Sequence, residues 1–165
     1  MKHLTVVAAA LMILAACGKK DPVPPVPATS DGSGGGARPE KLANGEPGVI
    51  TVKHVLIAFK DSGTNATRSK DEAQKLAYEV LNRAKSGEDF DKLMKELSDD
   101  SPTGGTYTLT NTGVAADKEK GEYERSGMVP AFGDVGFHIN VNEIAVAEHD
   151  ALKSPYGWHI IKRTK

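Results

Sequence analysis

The chain is poor in the features that mark specialised protein classes. Its 165 residues hold one cysteine, which excludes an intramolecular disulfide and any zinc site built from several thiolates. Lys and Arg (21) nearly balance Asp and Glu (22), so the cationic excess that a nucleic-acid binder needs to neutralise phosphates is missing. Long apolar runs are absent beyond the first 16 residues, and that stretch is too short to cross a bilayer. No internal repeat is visible. What is present, 39% hydrophobic and 26% charged residues, is ordinary for a soluble globular protein with room for one domain and a small appendage.

The N-terminus has the anatomy of an export signal. Lys2 and His3 open it, an apolar run from Leu4 to Leu14 follows, and small residues lead to Cys17. Leu14-Ala15-Ala16-Cys17 resembles the lipobox of bacterial lipoproteins. That resemblance implies cleavage before Cys17, a diacylglycerol on its sulfur and a further acyl chain, and stable anchoring requires more than one chain. Gly18 after the cysteine is compatible, on the same resemblance, with the outer membrane. The plainer alternative is an export signal with an incidental cysteine. Six of the nine prolines and seven of the 17 glycines then fall between Gly18 and Gly48, with Leu42 the one large apolar residue besides two valines. Such a segment buries too little apolar surface to offset its ordering entropy. The expected organisation is a signal over 1–16, a lipidated Cys17 with a Pro/Gly/Ser-rich tether over 17–48, and a folded domain over 49–165. The domain would be lipid-anchored in the cell envelope, on the periplasmic face.

Within 49–165 the pattern alternates between strand and helix. Val52 to Phe59 is rich in Val, Ile and Leu, encloses His54, and reads as a strand. Ser69 and Glu72 make a capping-box pattern, and Ala73, Leu76, Ala77, Val80, Leu81 and Ala84 recur at helical spacing before Ser86-Gly87. Phe90, Leu93, Met94 and Leu97 mark a second amphipathic helix. Thr106 to Thr110 suits a short strand, and the polar stretch from Asn111 to Gly127 reads as a surface excursion. Met128-Val129-Pro130-Ala131-Phe132 leads into a short helix, weakened by Gly133 and Gly136. Glu143 to Glu148 and Tyr156 to Arg163 read as the last strands. This order predicts an α+β fold, helices packed on a small, mainly antiparallel sheet.

The order of short motifs resembles the parvulin (PpiC-type) family of peptidyl-prolyl cis/trans isomerases. The resemblance rests on His54-Val55-Leu56-Ile57, the helix pair, Ser98-Asp99-Asp100, Gly104-Gly105, then Met128, Pro130, Phe132 and Phe137. Ser154-Pro155-Tyr156-Gly157-Trp158-His159-Ile160-Ile161 is its most specific part. It implies a four-stranded antiparallel sheet wrapped by about four helices, the parvulin version of the FKBP-like superfold. It also implies rotation of X-Pro amide bonds with no cofactor, no metal and no nucleophile. The clients would be unfolded or partly folded exported polypeptides, the membrane would be met through the lipid anchor alone, no nucleic acid is involved, and the expected state is a monomer.

By the same resemblance the proline ring sits against Met128 and Phe132, with Tyr107 where the family usually has leucine. The catalytic lining would be His54, Asp100, Tyr156 and His159. Read without it, a Met and a Phe four residues apart suit plain core equally well, and two buried histidines can simply hold a sheet together. Asp99-Asp100 can cap a turn before Ser101-Pro102. The spacing of His54, Asp100 and His159 matches no helical or hairpin metal pattern. Departures from the family affect specificity: Thr106-Tyr107-Thr108 replaces its usual Asp-Leu-Gly, and 111–127 and 145–152 are longer than their counterparts. The loop after the first strand carries Lys60, Arg68 and Lys70 but no dense basic cluster, so a phosphate requirement is not expected. Two other functions stay open on the sequence. One is a non-catalytic polypeptide-binding module, for which a single small groove offers little area. The other is a structural envelope lipoprotein that docks a partner through this fold.

Overall fold

The computed structural model describes residues 38–100 and 105–165. The expected export signal, the expected lipidation site Cys17, the expected tether as far as residue 37, and residues 101–104 lie outside the described residues. The chain divides into two units, Met1–Gly35 and Gly36–Lys165, and every described residue belongs to the second.

Five strands and three α-helices form the described domain: β1 (Val49–Ala58), α1 (Lys70–Lys85), α2 (Phe90–Leu97), β2 (Thr106–Thr110), β3 (Glu122–Glu124), α3 (Pro130–His138), β4 (Ile144–Ala147) and β5 (Gly157–Arg163). The sheet order is β3-β2-β1-β5-β4. β1 is central and antiparallel to both neighbours, with Val52 opposite Tyr107 on β2 and Leu56 opposite His159 on β5. The α+β class and the antiparallel core match the expectation, while the counts differ. There are three α-helices and two one-turn 3-10 segments in place of about four helices. The excursion also contributes a fifth strand, β3, which runs parallel to β2 and makes the sheet mixed. Glu122-Tyr123-Glu124 is short and charged, so no hydrophobic alternation marks it.

Side chains alternate across β1, and each face has its own core. Val55 and Ile57, with Trp158 and Ile160 from β5, pack under α1 and α2 against Ala77, Val80, Leu93 and their neighbours. Ile50 and Val52, with Leu109 and Ile161, pack against Phe132 and Phe137 of α3. A central strand covered on both faces reads as a near-continuous apolar run, which is why His54 stands out inside it. α1 starts where the capping box predicts: Ser69 Oγ accepts from the Glu72 N–H at 3.3 Å and Glu72 Oε2 from the Ser69 N–H at 2.8 Å. Gly136 weakens α3 as a helix but lets it approach the sheet, since a Cβ there would stand 3.3 Å from Ile50 Cδ1.

Residues 38–48, assigned to the tether on composition, are bonded to the domain. The Gly48 N–H donates to Glu40 O (3.0 Å), and the Asn111 N–H to Gly48 O (2.8 Å). Arg38 pairs with Glu122. Arg125 is the hub of this side. Its guanidinium donates to Glu46 (3.1 Å), Asn111 (3.0 Å) and Asp134 (2.7 Å), and its plane lies 4.9 Å from the Phe137 ring. One side chain thus ties the N-terminal segment and the excursion to α3.

Gly157 opens β5 at φ +143°, and a Cβ there would sit 2.2 Å from Ile57 O. Backbone strain and steric overlap act together, so Gly157→Ala is expected to destabilise by at least ~2 kcal/mol. The check is a lowered denaturant midpoint with an unchanged m-value.

Candidate active site

β1 and β5 each deliver one histidine to the α3 face of the sheet. His54 lies opposite Ile161 and His159 opposite Leu56, so the two imidazoles are diagonal neighbours. Their rings stack at 13° with centroids 5.3 Å apart, and the two Nδ1 atoms are 3.1 Å from each other. Both residues are 4% exposed. His54 Nε2 lies 2.9 Å from Asp100 Oδ2, and the Tyr107 hydroxyl donates to that same oxygen at 3.0 Å.

This geometry fixes the direction of the hydrogen-bonded chain. A carboxylate oxygen beside His54 Nε2 calls for an N–H there, which leaves His54 Nδ1 to accept from His159 Nδ1–H. The remaining nitrogen, His159 Nε2, is then bare. It is also buried and has no hydrogen-bond partner among the described residues. An unpaired buried polar atom loses its solvation, so this nitrogen is a cost that the site carries.

The loop before the site is braced by paired groups. The Leu56 N–H donates to Ser98 Oγ (3.0 Å), the Asp99 N–H to Leu56 O (2.8 Å), and the Ala58 N–H to Asp99 Oδ2 (2.8 Å). Arg68 clamps Asp99 with both terminal nitrogens and also donates to Ala58 O (2.8 Å). Adjacent aspartates therefore divide the work: Asp99 fastens the loop to the edge of β1, and Asp100 faces the histidines. Sequence reasoning missed Ser98, Asp99 and Arg68 as supports, although the Ser-Asp-Asp motif itself was the available signal.

All the residues named for ring binding and catalysis line one cavity of about 160 Å³: His54, Asp100, Tyr107, Met128, Phe132, Tyr156 and His159. Val129 completes it and was not anticipated. Larger hollows lie along residues 60–67 (690 Å³), around residues 41–47 and 137–141 (520 Å³), and along 111–115 with 124–126 (290 Å³), and none of them is lined by His54, Asp100 or His159. Phe132 is 2% exposed and forms a floor, meeting the rings of His54 (5.0 Å), His159 (5.5 Å) and Tyr107 (5.9 Å) edge-on. It is therefore both core and lining. Tyr156, 43% exposed, stands at the rim. Among the described residues no group of three His, Cys, Asp or Glu is placed to hold a metal ion.

Burial, and secondly the neighbouring His54 charge, push the His159 pKa from 6.5 down to about 3, against an upward pull from Asp100. The unfolded chain therefore takes up a proton that the folded chain refuses. Above pH ~6.5 the ring is neutral in both states and costs nothing; below it, stability falls by about 1.4 kcal/mol per pH unit until pH ~3. Chemical denaturation between about pH 7.5 and 5 is expected to show this decline beginning before carboxylates titrate, and His159→Gln is expected to lack it. A flat wild-type profile over that range is the contrary result.

Residues 40–165 match the family described as the PPIC-type PPIase domain. Chaperone SurA of Chromohalobacter salexigens is 33% identical over 112 residues, 67% of this chain and 21% of that protein. The foldase protein PrsA of Caldanaerobacter subterraneus is 33% identical over 114 residues (69% and 28%), and that of Geobacillus kaustophilus 36% over 115 residues (70% and 31%). The chain thus spans about a fifth to a third of the length of these relatives. The fold is shared with the solution structure of TbPIN1 (TM-score 0.54, 20% identity, covering 72% of this chain and 98% of that one). It is shared also with the peptidyl-prolyl isomerase ESS1 from Candida albicans (TM-score 0.52, 21% identity, covering 73% and 67%). With its fold, its motif order and a match reaching from residue 40 to the last residue, the chain belongs to the PpiC-type, or parvulin, family of peptidyl-prolyl isomerase domains.

Proposed function

We propose that the protein is a peptidyl-prolyl cis/trans isomerase acting on exported polypeptides. The observation that carries this reading is the convergence of an apolar ring-sized cavity and a hydrogen-bonded carboxylate at one point of the sheet. Rotation about an X-Pro bond breaks no covalent bond; it crosses a barrier of ~18–20 kcal/mol because the amide loses resonance as it twists. The planar amide carries negative charge on oxygen and positive charge on nitrogen, which water stabilises. A cavity that excludes water disfavours the planar form relative to the twisted one, and fixed polar groups lower the barrier further.

In this reading Met128, Phe132, Val129 and the ring of Tyr107 hold the pyrrolidine, Met supplying an adaptable surface and Phe a flat one. Asp100 lies nearest the rotating carbonyl and is the candidate catalytic group. His54 and His159 are positioning residues: both are buried, and their hydrogen bonds run toward Asp100 and each other. Tyr156 guards the mouth. No step requires a cofactor. A cavity of this size fits one proline ring better than a long unfolded segment, which favours catalysis over simple polypeptide holding. Arg68 is committed to Asp99, so the loop after β1 offers no free guanidinium of its own for a phosphorylated residue before proline. Lys2 to Cys17 supports the further proposal that the domain is exported and held at the envelope by a lipid on Cys17.

A protease-coupled assay on short X-Pro peptides tests this reading. The expected outcome is a rate well above the uncatalysed one, no gain from phosphoserine before proline, and a KM raised about tenfold in Met128→Ala through lost apolar contact. A wild-type rate equal to the uncatalysed reaction overturns it.

A further inference from the structure

Tyr107 brings two different things to the cavity. Its ring stands beside Phe132, at 5.9 Å and 84°, and forms part of the wall. Its hydroxyl goes elsewhere, donating to Asp100 Oδ2 at 3.0 Å, the oxygen that also faces His54 Nε2 at 2.9 Å. Donors from β1 and β2 thus converge on a single carboxylate oxygen.

We infer that Tyr107 is a positioning residue whose hydroxyl, together with His54, keeps Asp100 charged and aimed into the cavity. The inference rests on the isomerase reading of the site and adds what holds its candidate catalytic group in one state. Hydrogen bonds donated to a carboxylate favour the charged over the protonated form, and those to an ionised acceptor are the stronger kind. The donor is a steady one. Burial, followed by the hydrogen bond to Asp100 and that group's charge, pushes the Tyr107 pKa up to about 12, so the hydroxyl keeps its proton throughout the working range.

Most of the other described side chains around the cavity are engaged elsewhere or apolar. From β5, His159 is spent on His54. The neighbouring carboxylate of Asp99 is matched by Arg68. α3 and the turn before it present Met128, Val129 and Phe132, all apolar, and Tyr156 lies at the rim. Tyr107 and His54, both in the cavity lining, meet the same carboxylate oxygen.

Tyr107→Phe removes one oxygen and retains the ring. The titration midpoint of the Asp100 carboxyl, followed by carbon-13 NMR, is expected to rise by about one pH unit. The acid limb of the kcat profile should rise with it, while KM at neutral pH stays within about twofold. Melting is followed at each pH, so that acid unfolding is separated from titration of the site. Tyr107→Leu is expected to give the same shift and to raise KM as well, because it also loses the ring. In an Asp100→Asn background, Tyr107→Phe should cause no further loss of kcat. An unmoved carboxyl midpoint, or losses that add in the double variant, overturns the inference and leaves Tyr107 as wall alone. If the midpoint moves but the wild type shows no isomerase activity, the assignment of Tyr107 stands and the proposed function falls.

Discussion

The hydrogen bond between His54 and His159 is the constraint on which the site depends. It joins the first strand to the last across 105 residues of sequence, in the middle of the sheet and out of water. Burying two imidazoles is unfavourable unless their polar atoms are paired. The chain Tyr107–Asp100–His54–His159 pairs all but one, and it does so only when β1, β2, β5 and the loop after α2 are in place together. The cavity is thus a consequence of closing the sheet, and a partly folded chain would not present it.

The walls of the cavity depend on a second set of interactions farther out. Arg125 accepts the Met128 N–H on its own carbonyl at 3.1 Å while its guanidinium reaches Asp134 on α3. The segment bearing Met128, Val129 and Phe132 is therefore clipped at both ends by one residue. The same guanidinium holds Glu46, whose carboxyl is kept below its usual range first by the Asn111 amide and also by the Arg125 charge. Residues that look like linker and excursion in the sequence consequently brace this wall of the cavity. Arg125 and Glu46 are mostly withdrawn from solvent while Asp134 is exposed, so the Glu46 arm contributes more than an isolated surface pair does.

Much of the architecture was legible because it is written at short range. The Ser69/Glu72 box and the spacing from Ala73 to Ala84 fix α1 within a few turns, and the apolar run around His54 marks a strand buried on both faces. Neither property needs a distant partner. β3 was not legible: Glu122-Tyr123-Glu124 has no apolar alternation, and it becomes a strand by pairing with β2 and by receiving Arg38, a residue 84 positions earlier. The ordered segment over 38–48 was hidden for the same reason, since Pro, Gly and charged residues describe a linker until Asn111 and Arg125 supply its partners.

The sequence by itself determined the α+β class, the starts of α1 and α2, the order of motifs and the residue types around the cavity. The tertiary structure alone decided which of two adjacent aspartates braces the loop and which faces the histidines. It also decided that Phe132 is a floor, that Tyr107 donates a hydrogen bond as well as forming a wall, and that His159 keeps a buried ring nitrogen with no partner among the described residues. Helix caps and apolar periodicity are properties of neighbouring residues, whereas a hydrogen bond between side chains far apart in the chain exists only once the fold has brought them within 3 Å.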